Sequence, residues 1–155
     1  MSVVDSVFLA VPDTPSQVAD WLVAAAGCEV VLAEPRTVRL RRRAETVPDW
    51  LGIVVQANGY VLPDPEPDEV QAMDGYPIEV QVRAGQPDEV LHREAGLLFS
   101  TLTESRPDAP MLLVHNLETL IAAHVPHVAT HTFLPPVTPD IADIATWRPW
   151  VVTPH

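Results

Sequence analysis

"HNLETLIAAHVPHVATH" (115–131) holds four of the chain's six histidines, and whether it builds a metal site or is an ordinary helix end decides how the C-terminal half is read. Asn116 is a good N-cap, and Leu117, Leu120 and Ile121 recur at helical spacing, which predicts a short helix over "LETLIAAH" (117–124). A helix running on to residue 131 would place His124, His127 and His131 on one face, a spacing that suits a metal ion. Pro126 opposes that continuation, because it removes a donor and pushes its predecessor into extended backbone. The helix is therefore expected to stop near His124, with His127 and His131 in the following loop and strand start. No CxxC or HExxH pattern supports the three histidines, so no metal and no cofactor is expected.

Upstream of this stretch the periodicities are clearer. "VDSVFLAV" (4–11) reads as a first strand. Thr14, Pro15 and Gln17 form the capping box of a helix whose Val18, Trp21, Leu22 and Ala25 make one apolar face, and Gly27 is its natural stop. "CEVVLAE" (28–34), "TVRLRRR" (37–43) and "WLGIVVQA" (50–57) are three strand candidates. In "YPIEVQVR" (76–83) the alternation predicts Ile78, Val80 and Val82 inward, and Glu79, Gln81 and Arg83 toward water. "PDEVLHREAGLLFSTLTES" (87–105) is a long helix with Leu91, Ala95, Leu98, Phe99 and Leu102 on its core stripe. "MLLVH" (111–115) lacks alternation and reads as a central strand covered on both faces. The segment 133–155 is rich in proline and is expected to wrap the surface, with one turn of helix near 140–145.

This order predicts a single α+β domain over 1–155, a mostly antiparallel sheet with helices on one face. A ferredoxin-like split βαβ core is the leading topology.

Composition narrows the function classes. Nine arginines face 21 acids, lysine is absent, and the net charge is −12. That balance opposes nucleic-acid binding and favours a basic partner. No apolar run is long enough to span a membrane, and the N-terminal stretch with Asp5 lacks a signal peptide's basic start, so the cytoplasm is the expected location. Cys28 is alone and enters an apolar strand, which reads as structural packing. GxSxG, P-loop and GxGxxG motifs are absent, so a non-catalytic role is expected.

Two charged features remain. Arg39, Arg41 and Arg43 share one face of a strand, read as the charged edge of a sheet or as a grip for phosphate or carboxylate. Asp64, Glu66, Asp68, Glu69, Asp74 and Glu79 follow one another with no base between them. The first five of these, with Trp147 and Trp150 as aromatic anchors, are the expected interface for a basic protein partner.

The succession of a capped helix, "GYPIEVQVR", "HREAGLLFSTLTES" and "DAPMLLVHNLETLI" resembles the small α+β immunity proteins of bacterial polymorphic-toxin systems. Tyr76 leads the strand, the helix begins at about Asp88, and Asp108 precedes Leu112 and Leu113. The resemblance implies a non-enzymatic inhibitor whose acidic surface blocks a toxin, often a basic nuclease. The alternative class is an enzyme or small-molecule binder using His92, His115 and His124 as acid–base groups, in a cavity shared by His115, Tyr60 and an arginine. A third reading is a subunit of a larger assembly or homo-oligomer, joined through an apolar surface near the tail.

Overall fold

The computed structural model describes residues 3–85 and 87–154. The chain runs β1 (Asp5–Leu9), α1 (Pro15–Ala26), β2 (Glu29–Ala33), β3 (Thr37–Arg43), β4 (Trp50–Ala57), β5 (Ile78–Arg83), α2 (Asp88–Ser105), β6 (Met111–His115), β7 (Thr119–Val125), β8 (Ala129–Thr132) and the short α3 (Ile144–Trp147). All eight strands form one antiparallel sheet in the order β2-β3-β4-β5-β1-β6-β7-β8. β1 lies between β5 and β6, the two strands that α2 connects. No helix among the described residues is long and apolar enough to cross a membrane.

α1 starts where its capping chemistry dictates. The Thr14 side chain accepts from the Gln17 amide, and Gln17 accepts from the Thr14 amide. Gly27 ends the helix in the left-handed conformation at φ 67°, which costs glycine nothing. Val18, Ala19 and Leu22 of α1 and Leu91, Ala95, Leu98, Phe99 and Leu102 of α2 pack on one face of the sheet, over Val7, Leu9, Leu40, Ile53, Val80 and Leu113.

The opposite face carries a second core. Phe8, Leu112, Val114, Leu120 and Ala123 of the sheet are covered by Met73 and Tyr76 and by Phe133, Val137 and Trp147 from the C-terminal segment. Apolar residues on both faces of the central strands require such a second cover. Gly75 lies against the end of that segment. A Cβ built there would stand 2.1 Å from the Val152 carbonyl oxygen and 2.7 Å from its carbon. Gly75→Ala is expected to push Val152 off Tyr76, whose hydroxyl accepts from the Val152 amide. The cost should be about 1–3 kcal/mol, the usual range for forced overpacking. Thermal unfolding checks it, and an unchanged midpoint would mean the segment moves aside freely.

Three expectations are corrected here. Residues 117–124 are not a helix but the turn and strand of a hairpin. Asn116 and Leu117 take positive φ (50° and 59°), so the chain reverses and Thr119 pairs with His115. A register shift between Leu113 and Val114 leaves Ile121 as an extra residue. Ile121 and Ala122 then both face the helices, while Leu120 and Ala123 face the tail. That two-and-two pattern mimics helical spacing. Second, Glu79 and Gln81 do face away from the helices, but the tail-side layer buries them, at 0% and 6% exposure. Third, β3 is an interior strand between β2 and β4. The sheet's edges are β2, with Val30, Val31 and Leu32 exposed, and β8.

Candidate functional site

Two places in the fold gather chemistry. The first is a buried carboxylate beneath two stacked imidazoles. Alternation along β1 puts Asp5 on the helix side with Val7 and Leu9. Antiparallel register sets His115 of β6 directly opposite Asp5, and α2 brings His92 over the pair. His92 Nδ1 lies 2.7 Å and His115 Nε2 3.4 Å from the same oxygen, Asp5 Oδ2. The two rings stack at 3.8 Å between centroids and 11° between planes. They border an open pocket of about 440 Å³, which Asp88, Glu118 and Pro135 also line.

Asp5 is fully buried, and among the described residues its Oδ1 has no hydrogen-bond partner. Burial raises its carboxyl above the ordinary range. The hydrogen bond and charge of His92 and the hydrogen-bonding pull of the Asn116 backbone amide oppose the rise, and the charge of Asp88 adds to it. The Asn116 amide gives its own hydrogen bond to the Val4 carbonyl, at 2.8 Å. His115 is held down to about 4, by burial first and then by the neighbouring His92, so its imidazole is neutral at physiological pH.

The second place is an acidic groove of about 280 Å³ on the tail side. Tyr60, Leu62, Asp68, Glu69, Val70, Gln71, Asp140 and Ile141 line it. The loop that supplies its near wall is pinned locally. Glu69 Oε1 accepts from the Glu66 amide at 3.0 Å, and Gln71 Nε2 donates to Asp140 Oδ1 at 3.3 Å across the groove. Asp64, Glu66, Asp68 and Glu69 are all exposed. Asp74 is not part of that surface. It is half-buried and turned back onto the Gln71 amide at 2.9 Å, and burial raises its carboxyl despite that bond.

The remaining sequence candidates fall elsewhere. Trp147 is 2% exposed, with its indole N–H bonded to the Asp140 carbonyl, and so offers a partner no surface. Trp150 is half-buried and stacks on His131 at 3.9 Å. His124 is committed to the Pro107 carbonyl and Thr130 hydroxyl, and His127 sits in the β7–β8 turn at φ 64°. Among the described residues, the one group of three ligand side chains close enough for a metal is Asp5, His92 and His115, so His124, His127 and His131 do not converge.

Arg39, Arg41 and Arg43 project from the sheet face opposite α1. Arg41 and Arg43 sit over Trp50 at 4.1 and 4.6 Å, and Arg41 also pairs with Glu29 at 2.9 Å. Tyr60 packs edge-on against Phe8, on the other side of the sheet from His115. His115 and Tyr60 therefore face opposite sides of the sheet. His92 and His115 do meet, but the carboxylate that unites them was visible in the sequence only as one acid in an apolar strand.

The chain matches no family model, no curated protein and no solved structure.

Proposed function

We propose that the chain is a protein-binding module that takes a basic side chain of its partner into the acidic groove. The observation that carries this reading is the groove's composition. The acidic residues Asp68, Glu69 and Asp140 line one opening together with the apolar Leu62, Val70 and Ile141. A lysine or arginine needs that combination, an apolar wall for its methylene stem and oxygens for its head. The net charge of −12 would steer a basic protein toward the surface from a distance. Exposed Asp64 and Glu66 extend the negative rim, and exposed Val61 and Leu62 add apolar area beside it. Within this reading, inhibition of a basic toxin such as a nuclease is the finer proposal, in line with the immunity-protein resemblance.

The test is capture of a stoichiometric partner by the tagged chain from its native lysate at low salt, followed by the same measurement with Asp68→Asn, Glu69→Gln and Asp140→Asn combined. Exposed ion pairs contribute about 0.2–1 kcal/mol each, so losing three should weaken binding about tenfold. High salt should weaken it in the same direction. Equal retention by the neutralised variant, or no partner at either salt, would overturn the reading.

A further inference from the structure

We propose that Asp5, His92 and His115 form a binding site for one divalent transition-metal ion of the zinc type. The site lies on the helix side of the sheet, away from the acidic groove, so either proposal can fail without the other. One carboxylate oxygen and two imidazole nitrogens lie within 4.8 Å of one another, held by β1, α2 and β6. Two histidines, one carboxylate and an open side suit zinc, which takes three protein ligands and a water in sites open to solvent. Calcium and magnesium prefer oxygen ligands alone and fit this set poorly.

The second observation is the state of the carboxylate. Asp5 is fully buried, yet Oδ1 has no hydrogen-bond partner and Oδ2 alone meets both rings. A buried carboxylate with one oxygen unsatisfied is costly, and native folds seldom retain such a group without a use. A bound dication would supply the missing counter-charge. Asp88 and Glu118, on the wall of the pocket, deepen the negative potential there.

Coordination has a geometric requirement. Stacked parallel rings direct their lone pairs side by side, and one ion cannot lie in both planes at once. Binding therefore splays the rings, each turning about its Cβ–Cγ bond. Both side chains are partly solvent-exposed, at 32% and 21%, and the pocket beside them gives the rings room to turn.

The experiment titrates the full chain, stripped with EDTA, with zinc ions alone and follows the heat of binding. One equivalent should bind. His92→Ala and His115→Ala should each weaken it by about 100-fold or more, since losing a group that merely orients a ligand already costs about 10–100-fold. The triple variant His124→Ala, His127→Ala, His131→Ala should bind like the parent chain. Because a substitution could disturb packing, the unaltered protein is also followed through its histidine ring resonances. On one equivalent of zinc those of His92 and His115 should shift together and those of His124 should not. Absence of stoichiometric binding, binding that survives loss of both His92 and His115, or shifts confined to the 124–131 hairpin would each overturn the site.

Discussion

Glu94→Ala is expected to destabilise the fold by about 3–5 kcal/mol, the loss typical of stripping a buried, hydrogen-bonded charge from its partners. Glu94 lies on α2 with no solvent exposure, on the same stripe as Leu91 and Leu98. Its carboxylate accepts from the Glu45 amide at 2.8 Å, from the Thr46 amide at 2.9 Å and from the Thr46 hydroxyl. Arg93 donates to that hydroxyl oxygen at 3.0 Å. One side chain thus fastens the β3–β4 loop to a helix that lies far from it in sequence. Alanine would strand two amides and a hydroxyl and remove one of the two carboxylates near Arg42, leaving it Glu45 at 3.5 Å.

The pH dependence has a definite sign. Burial opposes ionisation of Glu94, but the Thr46 side chain, the two amides and Arg42 outweigh it, and the carboxyl sits below its ordinary value of 4.5. A depressed carboxyl stabilises the fold above its unfolded pKa, and this contribution fades as pH falls through the folded value. Urea midpoints measured from neutral pH down into that acid range should converge for the parent chain and Glu94→Gln. The glutamine keeps one acceptor but turns an NH₂ toward a donor, so at neutral pH it should lie between parent and alanine. A shift below about 1 kcal/mol for alanine, the scale of one ordinary hydrogen bond, would mean the loop finds other partners.

Glu94 also shows where reading the sequence succeeds and where it stops. The helix around it was legible, because its apolar residues recur with a period that only a helix brings to one side. α1 was legible for a different reason, a capping box and a left-handed glycine that fix both ends locally. The hairpin at 115–132 was not. Its turn depends on Asn116 and Leu117 adopting positive φ, and leucine gives no warning of that. Its bulge then turns the strand alternation into a pattern with helical spacing. The Asp5 site was hidden for a third reason. Asp5, His92 and His115 are separated by 87 and 23 residues, and only the pairing of β1 with β6 combined with the packing of α2 on the sheet brings them together. In the sequence Asp5 is only an acid within an apolar strand, and nothing local says what its carboxylate meets.

Trp147→Ala should cost about 3–5 kcal/mol, as for a buried aromatic in a main core, although it lies in a proline-rich segment near the end of the sequence. Proline density marks a chain that cannot pair regularly, and it says nothing about how much apolar area that chain covers. Here the central strands present Phe8, Leu112, Val114 and Leu120 on the side that α1 and α2 do not reach, and Phe133, Val137 and Trp147 close over them. Without that cover a contiguous apolar patch would face water. The same tryptophan fixes the acidic groove, since its indole N–H holds the Asp140 carbonyl at 3.0 Å and Asp140 and Ile141 line the groove's wall. The substitution should therefore act twice, lowering the urea midpoint and exposing residues from about 133 onward to limited proteolysis under native conditions. A variant that kept its midpoint but became protease-sensitive would show the segment to be a detachable cover over a self-sufficient helix-side core. Loss of both together would make the two cores one cooperative unit. In that case partner binding at the groove would be coupled energetically to the fold itself, and a bound basic protein should raise the midpoint of the whole chain.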